Sequence, residues 1–180
     1  MHGLIFMEIK KFADVSFGAG TYDALLKAAK LEDKIYLPVK EYPDAEAVAL
    51  VVAAAEATKK SVPDVLDAFG EFIAPDLLNL YKALIDPNWK TLDLLEHTEE
   101  TIHKVVRLQN PGAHPPQLKV TRTSPATAML YYDSSRKMCW LATGIVKGLA
   151  KHYGEKLEIK DQKCMARGDD HCEIIYTTTA

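Results

Sequence analysis

Tyr132, Ser134 and Arg136 are the residues of this chain whose types and spacing point most directly to chemistry. If their segment is a β-strand, side chains two positions apart lie on the same face, so the three groups form a row. Arginine binds a carboxylate through two hydrogen bonds, and hydroxyl groups satisfy remaining lone pairs. The row therefore suits a ligand that carries a pair of carboxylates. The spacing alone also fits an ordinary half-buried strand with one polar face.

His103 is the second candidate, and it precedes Tyr132 by twenty-nine residues. It lies on a predicted helix over residues 91–108, at the edge of an apolar stripe with helical spacing. Asn110-Pro111-Gly112 ends that helix, and Pro115 and Pro116 follow in a stiff segment. A histidine in such a position is commonly a core residue with satisfied hydrogen bonds, and this alternative stays open on residue type alone.

Taken together, these motifs resemble the H-NOX (haem-nitric oxide/oxygen binding) family. The resemblance runs from Met1 to Tyr176, nearly the whole chain. In that family the Y-x-S-x-R motif binds the haem propionates, which assigns that role to Tyr132, Ser134 and Arg136 by resemblance. The resemblance implies haem b as cofactor. It also implies a sensor of nitric oxide that binds carbon monoxide as well, and not an enzyme.

The same resemblance makes His103 the proximal ligand of the haem iron. A proline about a dozen residues later packs on the porphyrin in the family, and Pro115 and Pro116 match that spacing. Pro116 thereby inherits the role of distorting the porphyrin. In the family, nitric oxide weakens the iron–histidine bond, so release of His103 passes a conformational signal to another protein. Bacterial relatives imply a separate histidine kinase or cyclic-dinucleotide enzyme as that partner.

The resemblance also bears on which gas binds. Oxygen-binding members place a tyrosine nine residues after the tyrosine of the motif, where this chain has Leu141. Bound oxygen gains on the order of 1–3 kcal/mol from a buried donor, whereas nitric oxide needs none. We therefore predict a pocket that excludes oxygen, unless a shifted helix brings in Trp140 or Thr143. The other predicted pocket positions lack donors as well: Ile5, Ile9, Ile73, Leu77 and Ile145.

Three cysteines form a further candidate site. Cys139, Cys164 and Cys172, with a histidine, could bind zinc in a tetrahedral arrangement, as in a subset of bacterial H-NOX proteins that this chain resembles. The histidine of that subset is replaced here by Asp161, so Asp161 or His171 is the candidate fourth ligand. The alternative is three small buried hydrophobic residues. A zinc–thiolate redox-sensing module, with haem absent or incidental, is the alternative function.

Length, charge and composition frame these sites. A chain of 180 residues predicts a single α+β domain, with a helical lobe over residues 1–114 and an antiparallel sheet lobe with one late helix over 115–180. A haem would lie between the lobes. A net charge of −3 gives no electrostatic case for nucleic acid or a membrane surface. Three cysteines and no signal-peptide pattern predict a cytoplasmic protein.

Periodicity and turn residues predict the individual elements. Glu96, Glu99 and Glu100 are interpreted as a solvated helix face. Ser134 and Ser135 lack the companions of a catalytic nucleophile. Helices are predicted over residues 4–14, 21–29, 44–58, 62–72, 77–84, 91–108 and 140–153, and strands over 118–123, 128–132, 156–159 and 171–177.

Overall fold

The first part of the chain is helical. The computed structural model describes residues 1–179, and its first three helices are α1 (Gly3–Phe17), α2 (Thr21–Ala28) and α3 (Asp44–Thr58). The prediction for α3 is confirmed at both ends, while α1 is longer than predicted by one residue at its start and three at its end. Their buried residues form one core with those of the next helix.

The fourth helix, α4 (Val62–Tyr81), is one continuous element, so the prediction of two helices here is wrong. Ser61 caps it, because the Ser61 hydroxyl accepts a hydrogen bond from the Asp64 amide at 3.2 Å. Pro75 lies between the two predicted helices and inside the observed one. The adjacent residues Ile73 and Ala74 are fully buried, and this packing outweighs the cost of one lost backbone hydrogen bond.

The predicted helix over 91–108 is present but irregular. It consists of α5 (Thr91–His97), a π-helical segment (Glu99–His103) and α6 (Lys104–Gln109). In the π-helical segment the His103 amide donates to the Thr98 carbonyl at 3.0 Å, five residues earlier. Such segments are rare and often lie at functional sites.

A four-stranded antiparallel sheet follows, with β1 (Gln117–Ser124), β2 (Thr127–Asp133), β3 (Lys156–Lys163) and β4 (Cys172–Thr179) in the order β1-β2-β4-β3. The late helix α7 (Cys139–Tyr153) connects β2 to β3. The predicted α+β class is confirmed. The predicted boundary near residue 115 falls between α6 and β1, and the single-domain assignment stays a prediction.

Helix α7 joins the helical part of the molecule to the sheet. Its Leu141 and Ile145 pack on the helical core, whereas Cys139 and Val146 belong to the core beneath the sheet. It crosses α4 closely, because a Cβ atom on Gly144 would lie 2.0 Å from the Asp67 carbonyl oxygen. None of the helices within residues 1–179 is long and apolar enough to cross a membrane.

Candidate functional site

A mostly apolar cavity of about 290 Å³ lies among α1, α4, β2, α7 and the α5–α6 helix, which comprises α5, the π-helical segment and α6. Its volume is just below the range for small-molecule sites, about 300–1,000 Å³. The side chains that line it include most of the residues that the sequence singled out: Ile5, Ile73, Leu77, His103, Pro115, Pro116, Tyr132, Arg136, Leu141 and Ile145. The fold thus brings them together from distant parts of the chain.

His103 ends the π-helical segment and lines the cavity. Its Nδ1 lies 2.9 Å from the Glu99 carboxylate oxygen Oε2. A carboxylate accepts hydrogen bonds, so Nδ1 carries the proton and Nε2 keeps its lone pair. Burial lowers the pKa of His103, and this outweighs the opposite effect of Glu99. The structure therefore favours a neutral imidazole, the form that binds a metal.

Glu99 corrects the interpretation of the three glutamates as a solvated face. Besides His103, its carboxylate contacts the Arg107 guanidinium at 2.6 Å and the Leu118 amide at 3.4 Å. Burial would raise the pKa of Glu99, but the hydrogen bonds from His103 and Arg107 lower it. Glu100 is exposed, as predicted. The signal in the sequence was an acid four residues before a histidine on one helix.

The row of Tyr132, Ser134 and Arg136 is not a strand face, because β2 ends at Asp133. Ser134 begins a turn in which the Lys137 amide donates to the Ser134 carbonyl at 3.0 Å. The backbone of Lys137 has a positive φ of 53°, which an extended strand does not allow. Tyr132 and Arg136 reach the cavity, whereas Ser134 is buried outside its lining.

Ser134 nevertheless supports its neighbours. Its hydroxyl accepts a hydrogen bond from the Arg136 amide at 3.3 Å, which stabilises the turn. Burial raises the pKa of Tyr132 to about 12, against a smaller lowering by a hydrogen bond with Ser134. Tyr132 is therefore a neutral hydroxyl at neutral pH. The three residues are thus neighbours in the structure, although a turn and not a strand arranges them, and their joint role stays a prediction.

Arg136 places a positive charge at one end of the cavity. Its guanidinium lies 3.4 Å from the Asp44 carboxylate and donates to the His114 carbonyl at 2.5 Å. The amino group of Met1 lies 2.7 Å from the same carboxylate. Burial would raise the pKa of Asp44, but hydrogen bonds and charge interactions with Met1 and Arg136 lower it. Two cations thus converge on one carboxylate, a donor set that an anionic ligand group can share.

The apolar lining differs from the prediction at one position. Ile9 lies outside the main cavity and lines a separate void of about 10 Å³ with Phe12 and Phe69, because its side chain enters the helical core. Thr143 is also outside the lining, and its hydroxyl lies 3.2 Å from the Tyr176 hydroxyl. Trp140 is absent from the lining as well. The register of α7 is therefore not shifted in the way that would bring Trp140 or Thr143 into the cavity.

Two hydroxyls in the cavity lining were missed. Tyr81 lies one helical turn after Leu77 on α4, and Thr98 precedes the π-helical segment. The Thr98 hydroxyl is engaged with the Leu94 carbonyl at 2.7 Å. The four-residue spacing from Leu77 to Tyr81, both within the predicted helix over 77–84, was the available signal.

The three cysteines lie close together in the core beneath the sheet. The Sγ atoms of Cys139, Cys164 and Cys172 all lie within 4.8 Å of one another, and those of Cys139 and Cys164 are 3.7 Å apart. Tetrahedral zinc with bonds of about 2.3 Å places its sulfur ligands about 3.8 Å apart. Burial is the main cause of a raised pKa at Cys139 and at Cys172. Cys139 and Cys172 are thus neutral thiols unless a cation stabilises the thiolates.

Neither predicted fourth ligand joins the cysteines. His171 lies outside the cluster, stacks on Tyr131 and directs its ring nitrogens to Asp170 at 2.6 Å and Glu173 at 2.8 Å. The physical reason is that its two carboxylate partners hold both nitrogens. Asp161 also lies outside the cluster and is 3.8 Å from Arg167. Within residues 1–179 no other histidine, cysteine or carboxylate completes the group.

The fold and the cavity define a ligand-binding domain in which one neutral histidine faces an apolar cleft with a cationic end. The chain belongs to the Haem-NO-binding (HNOB) family, whose sequence profile matches residues 2–161. The predicted family is therefore confirmed. Members of this family bind haem and act as gas sensors. Among curated protein sequences, none matches the chain significantly.

Solved structures of H-NOX proteins are similar over the full chain. The H-NOX protein from S. oneidensis in the Fe(II)NO ligation state has 26% identity, a TM-score of 0.92 and complete coverage of both chains. The S. oneidensis H-NOX domain in the Fe(II)CO ligation state has 26% identity, a TM-score of 0.88 and 99% coverage of each chain. The unliganded Fe(II) protein from K. algicida has 24% identity, a TM-score of 0.90 and coverage of 100% and 97%, and supports the fold alone.

Proposed function

We propose that this protein binds ferrous haem b through His103 and senses nitric oxide, with carbon monoxide as a second ligand. The observation that carries the proposal is the neutral imidazole of His103 in the wall of a mostly apolar cavity. A ferrous haem held by one histidine offers its other face to a diatomic gas. The S. oneidensis relatives with nitric oxide or carbon monoxide bound support this assignment.

The residues present fit such a cofactor. Apolar side chains of α1, α4 and α7 suit the porphyrin faces, and Pro115 and Pro116 add rigid contacts beyond α6. The guanidinium of Arg136 and the hydroxyl of Tyr132 suit the propionates, and Ser134 holds the turn that positions Arg136. Pro116 is proposed to press on the porphyrin. A propionate at Arg136 would share that cation with Asp44.

Selectivity for nitric oxide follows from the lining near Leu141. Leu141, Ile5, Ile73 and Ile145 offer no hydrogen-bond donor, and Thr143 is held by Tyr176 away from the cavity. A donor to bound oxygen would contribute on the order of 1–3 kcal/mol, or roughly one to two powers of ten in affinity. We infer that the cavity favours nitric oxide and carbon monoxide over oxygen.

The signal is proposed to be a movement of the α5–α6 helix. Release of His103 would free the helix that carries it, because this side chain is the helix's direct link to the cofactor. A ligand shifts such an equilibrium only if it binds the two conformations with different affinity. The receiver is proposed to be a separate histidine kinase or cyclic-dinucleotide enzyme in the cytoplasm, and the chain to act as one sensor domain without catalysis.

An absorption spectrum of the reduced, haem-loaded protein tests the proposal. Under nitrogen we expect the band of a histidine-ligated ferrous haem, unchanged by air over minutes and shifted by nitric oxide and by carbon monoxide. Air is expected to have no effect because Leu141, Ile5, Ile73 and Ile145 offer no hydrogen-bond donor to bound oxygen. Absence of a haem band after reconstitution would contradict the function itself, whereas a stable oxygen complex would contradict only the selectivity.

The cysteine cluster supports a second candidate function, a zinc–thiolate redox sensor with haem absent or incidental. The separation of 3.7 Å between Cys139 and Cys164 is the observation that favours it, because it suits two ligands of one zinc ion. Oxidation of zinc-bound thiolates would release the metal and weaken the packing of the core beneath the sheet. A water or an unpredicted group would have to supply the fourth ligand.

Metal analysis of the purified protein tests this second function. We expect one zinc per chain in the wild type, and loss of zinc in Cys164→Ser, since two thiolates bind the ion far more weakly than three. His171→Ala is the matched control, because His171 lies outside the cluster and should leave the zinc content unchanged. A wild-type protein free of zinc, purified without chelator, would remove this candidate. A protein with zinc and no haem would put it first.

A further inference from the structure

Glu99 is the charged residue beside His103 whose role the proposed function leaves unassigned. We propose that Glu99 is a positioning residue that fixes the tautomer of His103 and sets the strength of its bond to the iron. The proposal rests on the proposed function, since it concerns the same imidazole. The Glu99 carboxylate contacts residues of α6, the π-helical segment and the start of β1.

The two carboxylate oxygens of Glu99 have different partners. Glu99 Oε2 lies 2.9 Å from His103 Nδ1, and Glu99 Oε1 lies 2.6 Å from an Arg107 guanidinium nitrogen. Each oxygen thus has a partner of its own, so the carboxylate cannot rotate without breaking both contacts. An ionised carboxylate only accepts, so His103 donates from Nδ1 and presents Nε2 as its one lone-pair nitrogen. Glu99 therefore selects the nitrogen that can bind the iron.

Glu99 also affects how strongly His103 can bind a metal. A hydrogen bond from imidazole to a carboxylate moves electron density toward the free nitrogen, which makes that nitrogen a better donor to a metal. Glu99 therefore strengthens the bond that nitric oxide must weaken for a signal. Arg107 limits this effect, because its positive charge lies on the other oxygen of the same carboxylate. The pair sets an intermediate strength and not the maximum.

Glu99 also links His103 to the sheet. The Leu118 amide at the start of β1 donates to Glu99 Oε2 at 3.4 Å, the oxygen that also holds His103. Leu118 itself lines the cavity. When His103 moves, this shared oxygen must either follow it and leave Leu118 or stay and lose the imidazole. Glu99 is consequently the point at which helix movement is felt by β1.

Glu99→Gln and Glu99→Leu test the proposal, with Glu100→Gln as the matched control. Glu100 is the next residue of the same helix and is exposed, so its variant changes the net charge equally without touching His103. In both Glu99 variants we expect the iron–histidine stretching band of the reduced protein to shift to lower frequency. Displacement of His103 by nitric oxide is expected to be about 10-fold faster. Arg107→Met should shift the band the opposite way.

A second readout needs no haem. In the haem-free protein, nitrogen NMR of the His103 ring should show the proton on Nδ1 in the wild type and in Glu100→Gln, and a mixture of tautomers in Glu99→Leu. An unchanged iron–histidine frequency in both Glu99 variants would overturn the role of Glu99 and leave the haem function standing. A wild type that takes up no haem overturns both. Circular dichroism of each variant identifies a folding defect, in which case Arg107→Met decides the outcome.

Discussion

His103→Gly is expected to lose the histidine-ligated ferrous spectrum completely, the largest functional effect of any single change in this chain. The substitution removes the one neutral imidazole that the structure presents to the cavity from the π-helical segment. Added imidazole should restore the spectrum, because the space left by the side chain admits the free base. The restored protein should bind nitric oxide without transmitting a change to the α5–α6 helix, as measured by hydrogen exchange over residues 91–109.

His97→Gly is the control for this experiment. His97 lies on the same helix, stacks on Trp89 with ring centroids 4.4 Å apart, and does not line the cavity. Its variant should keep the wild-type spectrum, although a glycine in the helix lowers the stability of both variants by about 1 kcal/mol. An unchanged ferrous spectrum in His103→Gly would refute the proximal assignment.

Gly144→Ala is expected to destabilise the protein by about 1–3 kcal/mol, although alanine is the better helix former. A Cβ at this position would lie 2.0 Å from the Asp67 carbonyl oxygen, and a backbone atom in α4 cannot move aside as a side chain would. The helices would have to separate along their shared contact. The free energy of unfolding in urea, followed by circular dichroism, measures the effect.

Gly112→Ala provides the comparison for Gly144→Ala. Its Cβ would lie 3.2 Å from Glu41 Oε2, the end of a flexible side chain that can shift. We expect a change in unfolding free energy within about 0.5 kcal/mol for this variant. Equal effects of the two substitutions would show that the close approach of α4 and α7 is not a significant constraint on the fold.

Much of the candidate site could be predicted from the sequence because its residues carry strong local signals. His103, Tyr132 and Arg136 all reach the cavity, and the apolar positions Leu141 and Ile73 do so as well. Ser134 and Ile9 do not, because a turn and a core contact that depend on distant residues decide their directions. Glu99 was interpreted as part of a solvated face, although its spacing of four residues from His103 was a local signal for their contact.

The fold shows the same division between local and distant causes. Both ends of helix α3 were predicted. The helix begins directly after Pro43, and its first turn is acidic. Helix α4 was predicted as two pieces, whereas the burial of Ile73 and Ala74, a property of the folded protein, stabilises one helix that continues past Pro75. His171, a candidate fourth ligand, does not join the cysteine cluster because Asp170 and Glu173 hold its ring nitrogens, and adjacency to Cys172 in the sequence does not predict those contacts.

The π-helical segment has a consequence for how the whole α5–α6 helix presents its side chains. Leu94, Thr98, Ile102 and Val106 line the cavity at intervals of four residues. In a regular α-helix each such interval overshoots a full turn by about 40°, so Val106 would be rotated from Leu94 by about 120°. One surplus residue absorbed in the segment takes up about 100° of that rotation. The helix thereby keeps one angular phase along its length, and a chain shorter by one residue between Thr98 and His103 would present the same side chains from an uninterrupted α-helix.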